Sequence, residues 1–532
     1  MPPPGRPRAG RAARGRGAPG RARQRAPRTP LRRAPPGNGP PVALALNDRS
    51  LSSLSASVST PSYDRSRVRT GIVHLGVGGF HRSHQAVYLD RLMERGEALD
   101  WGICGVGVLP GDRRMAEVTA AQDCLYTVVV THPDGFLGAR VVGSMVEYLL
   151  APDDPEAVVE KMADPGTRIV SLTVTEGGYN ISPVTGEFDA TDPGVLQDLQ
   201  PGAVLRTSFG LVTEALARRR DRGVPPFTVM SCDNIPGNGD VARDSFAAFA
   251  GLRDAGLGDW VRREVPFPNS MVDRITPVTT DVHRRELSRR FGVEDQWPVV
   301  CEPYTQWVLE DRFSCGRPPL EDAGVQLVAD VEPYELMKLR LLNGSHQAMG
   351  YLGTLAGYTF IHDVCQDPLF REFLLGYMDR EATPTLPPVP GIDLAQYKAD
   401  LIGRFSNPNM RDTLARLCAE SSDRIPKFLL PVLRQNLATG GPIGLCVAVL
   451  AGWARYAEGV GEDGRPIEVV DPRRESLVAA ARRQGEEPLA FVSDRDLFGD
   501  LVDDERFAAE YVHTLRSLRE RGTRATLESV LG

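Results

Sequence analysis

The sequence predicts an α/β protein, with a Rossmann-type doubly wound sheet domain over 67–325 followed by a mainly α-helical second domain over 326–532. Three observations carry that expectation. A short β-rich run, Thr70-Gly-Ile-Val-His-Leu75, enters the glycine turn Gly76-Val77-Gly78-Gly79-Phe80-His81, and a helical stretch follows over 85–94. Strand-like and helix-like segments then alternate up to about residue 325. Beyond that point strand signals fade, and segments of helical length and period run to the C-terminus.

The elements follow in order. A second strand is expected over 101–109, ending beside Asp112. The stretch 124–142 reads as an inserted antiparallel hairpin folded about Pro133-Asp134-Gly135. Continuous buried-type strands are expected over 168–175, running into Thr175-Glu176-Gly177-Gly178, and over 227–232, running into Asp233-Asn234. In the second domain, helices are expected over 368–380, 394–405, 413–419, 428–437, 444–456, 475–484 and 507–521.

Residues 1–45 differ from the rest. The first forty hold eleven Arg with abundant Pro, Gly and Ala and no acidic residue, a composition that cannot build a core and predicts a disordered tail. Without those arginines the formal charge of −7 becomes about −18, so the folded body is acidic. Basic tails can bind nucleic acid, but no aromatic interleaving or recognition motif accompanies this one, so a nucleic-acid partner is not expected. Residues 46–66 are Ser-rich and read as a linker with an arm. No apolar run reaches transmembrane length, and no membrane association is expected. The eight cysteines are scattered singly, without C-x-x-C pairs or His-rich clusters, so neither zinc nor a disulfide framework is indicated and a cytoplasmic setting fits. Nothing sets an oligomeric state, and a monomer is the simplest expectation.

The chemistry concentrates in two places. Strand, glycine turn and helix N-terminus are the parts of a dinucleotide site, with His81 standing where the third glycine of G-x-G-x-x-G is usual. An acidic group after the second strand, Asp112, would accept ribose hydroxyls and repel a 2′-phosphate, which favours NAD over NADP. The other place is Lys338-Leu-Arg-Leu-Leu-Asn343-Gly-Ser-His346. On an ideal helix with Lys338 at 0°, Glu335 falls near about 60°, His346 near about 80° and Asn343 near about 140°. Four polar groups thus share one sector of an otherwise apolar helix. A self-satisfied hydrogen-bond cluster would explain that; so would an alcohol-oxidising site. Desolvation makes a lysine usable as a base near neutral pH. Asn343 and Asn234 could donate to an oxygen gaining charge, His346 could orient a hydroxyl, and Glu335 could pass a proton to solvent.

Four stretches carry a resemblance: G-I-V-H-L-G-V-G-G-F-H-R-S-H-Q at 71–85, S-C-D-N-I-P-G-N-G at 231–239, F-P-N-S-M-V-D-R-I-T-P at 267–277 and K-L-R-L-L-N-G-S-H at 338–346. Their order and spacing resemble the polyol-specific long-chain dehydrogenases over roughly residues 65–520. The resemblance implies metal-independent, NAD-dependent oxidation of a linear polyol to a ketose, D-mannitol to D-fructose. D-arabinitol oxidation and fructuronate or tagaturonate reduction are the alternatives within the family. It implies Lys338 as general base, Asn234 and Asn343 on the reacting oxygen, His346 on substrate and Glu335 as proton relay. It further implies Asp273, Arg416 and Lys427 as substrate-pocket residues; Thr175 and Glu176 are expected beside the cofactor from their place at a strand's carboxyl end. Where the family often has Lys-Gly-Tyr after Thr-Glu, this chain has Gly177-Gly178-Tyr179, which puts a lysine contact to the cofactor in doubt.

Overall fold

The structure, a computed structural model, describes residues 43–181 and 186–532, so the expected tail lies outside the described residues as far as residue 42. Five parallel strands form the central sheet: β1 (Thr70–Leu75), β2 (Gly102–Gly107), β3 (Met145–Leu150), β4 (Ile169–Leu172) and β5 (Thr228–Ser231). Their spatial order is β3-β2-β1-β4-β5, so the chain reverses direction across the sheet between β1 and β4. Ligands of doubly wound sheets lie beyond the carboxyl ends of the strands at that reversal. The strands read as continuous apolar runs because both faces are covered. Val73 and Leu75 of β1 pack into one core while Ile72 packs into the other.

The expected hairpin is present as Tyr126–Thr131 against Leu137–Val142, turning at Gly135 with φ +80°. It joins Val299–Cys301 and Val58–Ser59 in a separate sheet, and Ser270–Asp273, Gln306–Glu310 and Gln326–Val328 form a third. The segment before β1 is fastened down. Leu44–Ala45 pairs with Val293–Glu294, Leu46 is buried, and the Arg65 guanidinium donates to the carbonyls of Gly143, Asp123 and Met145.

From residue 332 the chain is almost entirely helical. Helix Leu394–Phe405 begins where Asp393 caps the backbone N–H groups of Ala395 and Gln396. Gly444–Ala457 runs through the centre of this domain's core, and Glu505–Leu531 bends at Gly522 (φ +79°). The domains meet past the carboxyl end of β5, where Lys338 reaches Asn234, and at the hairpin, where Asn407 and Asn409 donate to the carbonyls of Thr131 and His132.

Candidate active site

Helical backbone is continuous from Glu332–Met337 through Lys338–Asn343 to Gly344–Leu355, but the middle stretch is a π turn. The expected 100° wheel therefore needs correction. A π turn holds one extra residue, so positions beyond it fall back by roughly 100°. His346 is thereby brought closer to the line of Lys338. The wide turn is stabilised from outside: the Tyr377 hydroxyl donates to the Arg340 carbonyl at 2.9 Å. Gly344 permits that approach, since a Cβ there would lie 2.1 Å from the Tyr377 oxygen.

Lys338 is 8% exposed and points across the domain interface. Its Nζ donates to Asn234 Oδ1 at 2.5 Å, just past the end of β5, and to the Val272 carbonyl at 2.7 Å. Burial lowers its proton affinity below that of a free lysine, with the Asp273 carboxylate opposing. Because Asn234 Oδ1 faces the amine, its Nδ2 is the group left to donate elsewhere. Glu335, one turn earlier, accepts the Gly237 backbone N–H at 3.1 Å, and burial pushes its carboxyl up to about 7. Asp233, Asn234, Pro236, Val272, Glu335 and Lys338 line a small cleft here.

His346 lies at the same interface, beside Ile275 and Arg404. Asn343 Oδ1 and His346 Nε2 are buried with no hydrogen-bond partner among the described residues. Buried polar atoms in that condition are costly unless something else satisfies them, which fits groups that meet substrate hydroxyls. His346 packs against Phe405 with ring centroids 4.9 Å apart, and burial, then nearby Arg416, Arg404 and Arg424, keep it neutral. Along with Arg404 and Phe405 it lines a second small cleft.

The expected pocket residues divide. Asp273 is buried, but both its oxygens accept from Arg404, at 2.7 and 2.9 Å, and this pair holds the carboxyl below its usual range despite burial. Arg416 and Lys427 are 53% and 45% exposed and pair locally with Asp412 and Asp423, so neither makes a contact with the Lys338 group. Arg416 and Arg424 are among the charges that act most strongly on His346; Lys427, one turn after Arg424, is paired with Asp423. Arg404, its second partner Glu302, and Asp233 were not legible. Arg404 and Asp273 are 131 residues apart in sequence, so no local pattern announces the pair.

The glycine turn supplies the other wall. Gly76 has φ +88°, and a Cβ there would lie 2.2 Å from the Thr173 carbonyl, so only glycine fits. A Cβ at Gly78 would meet nothing nearer than 4.0 Å, which leaves backbone open to a diphosphate. His81 substitutes for the third glycine by lying flat on His74, ring centroids 3.4 Å apart and 9° from parallel. Burial drives both imidazoles neutral, so the stack carries no charge repulsion. Val77 packs into the core, and Phe80 stacks on His84 at 4.9 Å. Asp112 lies at the end of β2, where its carboxylate accepts the Leu109 N–H at 2.9 Å and its Cβ approaches Gly107. Thr175 holds φ +65° with Glu176 exposed beside it; Asp233 fixes this bend by accepting from the N–H groups of Val174 and Thr175 and from the Tyr179 hydroxyl. A strained non-glycine residue at a strand end is typical of ligand sites. Turn, acidic strand end and open backbone together fit a dinucleotide.

The Mannitol dehydrogenase Rossmann domain model matches residues 70–322, and the Mannitol dehydrogenase C-terminal domain model matches residues 330–519. The chain belongs to the mannitol dehydrogenase family. It is 47% identical to the mannitol 2-dehydrogenase of Phaeosphaeria nodorum over 92% of this chain and 86% of that protein. Among solved structures it resembles a Pseudomonas fluorescens mannitol 2-dehydrogenase in ternary complex with NAD and D-mannitol, at 45% identity and TM-score 0.82, covering 92% of this chain and 99% of that one. A substrate-free D-sorbitol dehydrogenase matches at 37% identity and TM-score 0.85, covering 91% of this chain and 100% of that one. No helix among the described residues is long and apolar enough to cross a membrane, and no group of three or more His, Cys, Asp or Glu side chains among them is arranged to hold a metal ion.

Proposed function

We propose that this family member interconverts D-mannitol and D-fructose reversibly with NAD, acting at C2 of the linear polyol with an amine as the activating group. The observation that supports it most is the buried Lys338 amine, bonded among the described residues to the neutral oxygens of Asn234 and Val272, in a chain 47% identical to a mannitol 2-dehydrogenase. The turn Gly76–His81 would hold the diphosphate, Asp112 the ribose hydroxyls, and Thr175 and Glu176 the bend beside the nicotinamide end. Bound NAD+ supplies the hydride acceptor; the remaining work falls on the chain.

Uncharged Lys338 takes the proton of the C2 hydroxyl. The amide N–H groups of Asn234 and Asn343 donate to the oxygen as it gains charge. Neutral His346 orients a neighbouring hydroxyl, while Arg416 and Lys427, exposed and paired with Asp412 and Asp423, would meet the far end of the polyol only by turning from those partners. Glu335, titrating near 7, can accept the proton from Lys338 and release it to solvent. The eight unpaired cysteines suit a reducing cytoplasm.

A panel of polyols and ketoses with NAD(H) and NADP(H), followed by nicotinamide absorbance, tests the reading. D-Mannitol with NAD+ and D-fructose with NADH should give the highest kcat/KM. A higher value for D-sorbitol, D-arabinitol, fructuronate or tagaturonate would reassign the substrate.

A further inference from the structure

The carboxylate that acts most strongly on the base is not hydrogen-bonded to it. Val272 and Asp273 are consecutive on strand Ser270–Asp273; the carbonyl of Val272 accepts from Lys338, yet both oxygens of Asp273 go to Arg404. Arg404 also donates from Nε to Glu302 Oε2 at 2.9 Å and from Nη2 to Glu302 Oε1 at 2.7 Å, and lies 4.0 Å from the centre of the Tyr304 ring. Its side chain is 7% exposed. The guanidinium comes from helix Leu394–Phe405 of the second domain, whereas Asp273, Glu302 and Tyr304 belong to the first.

We propose that Arg404 is a positioning residue for the base: by occupying both oxygens of Asp273 it withholds the adjacent carboxylate from Lys338, leaving the amine only the uncharged acceptors Asn234 Oδ1 and Val272 O. This rests on Lys338 being the base. A buried ammonium–carboxylate pair would keep the proton on the lysine and disable it near neutral pH. Only arginine suits the task, because its planar fork engages a carboxylate with two parallel hydrogen bonds and never gives up its own charge. The other groups facing Lys338 are Glu335 and Glu176, and the imidazoles of His84 and His346. Neither imidazole carries charge near pH 7, because burial holds both well below the usual range. Arg404 itself faces Asp273, Glu302, Tyr304 and Tyr397.

The test is the acid limb of the pH profile of kcat/KM for D-mannitol oxidation at saturating NAD+, measured for the parent, Arg404→Gln, Arg404→Lys and Asp273→Asn/Arg404→Gln. Freed of its partner, Asp273 should turn to Lys338, and the limb of Arg404→Gln should move up by about one pH unit, a tenfold loss at fixed acidic pH. Arg404→Lys should move it less. The double variant should bring it back, because the competing carboxylate is gone. If Arg404 merely ties the domains together, activity falls with the limb unmoved and the double variant restores nothing; that result overturns the proposal. Should Arg404→Gln not fold, the charge-balanced double variant and Arg404→Lys decide the matter through the same limb. An inactive Lys338→Ala alongside an unmoved Arg404→Gln limb would sink this proposal alone, whereas an active Lys338→Ala would sink the base assignment beneath it.

Discussion

Glu335 offers a prediction that is both thermodynamic and specific. Its carboxyl is held up at about 7 against 4.5 for the free side chain, chiefly by burial, with the Gly237 N–H and Lys338 pulling the other way. The fold therefore favours the protonated form. The stability this confers is fully present below 4.5 and is lost as pH rises through about 7. At about 1.4 kcal/mol per tenfold change in proton affinity, the whole gap is worth roughly 3 kcal/mol. Solvent reaches part of the side chain, so about half, ~1.5 kcal/mol, is the expected yield. Gln at this position keeps the shape and an oxygen to accept from Gly237 but cannot ionise. Urea unfolding of the parent and Glu335→Gln at pH 5, 6.5 and 8.5 should show the difference in midpoint moving steadily in favour of Gln as pH rises. Parallel curves across that range would mean that the carboxyl titrates like an exposed one, and the relay assigned to it would lose its basis.

Two further outcomes concern the cofactor wall. Asp112→Ser should lower the preference for NAD over NADP by about tenfold, since removing a charge close to the 2′ position is worth ~1–2 kcal/mol; an unchanged ratio of kcat/KM would refute the assignment. Gly76→Ala places a methyl group 2.2 Å from the Thr173 carbonyl at φ +88°. Overpacking and strain of that kind cost about 1–3 kcal/mol, so NADH affinity, read by fluorescence titration, should fall by about fivefold to a hundredfold; retained affinity would show that the turn does not meet the cofactor.

Much of the fold was legible because local chemistry and tertiary structure agree. Helix Leu394–Phe405 matches its expected span because Asp393 caps it and its apolar positions recur at helical spacing. The strands into Thr175 and Asp233 were visible as uninterrupted β-branched and apolar runs, which only a sheet covered on both faces requires. Boundaries suffered where the backbone leaves regular geometry: β4 ends at Leu172, three residues early, because Thr175 adopts a positive φ imposed by Asp233, 58 residues on. In the site, the amine, the two carboxamides and the imidazole could be named from residue type. The π turn could not, since what holds it is the Tyr377 hydroxyl, 37 residues away on another helix. The ion pairs of Arg404 escaped for the same reason: burial and long-range pairing leave no mark on neighbouring positions.

The claim beneath all of this is that the buried amine of Lys338 moves the proton. Turnover of D-mannitol by Lys338→Ala, measured beside NADH binding by fluorescence on the same preparation, addresses it directly. A general base contributes about 10²- to 10⁴-fold, so kcat should drop by that factor while the NADH dissociation constant stays within about threefold, a change below 1 kcal/mol. A folded variant that kept kcat within about tenfold of the parent, or that lost binding and turnover to the same degree, would contradict the assignment.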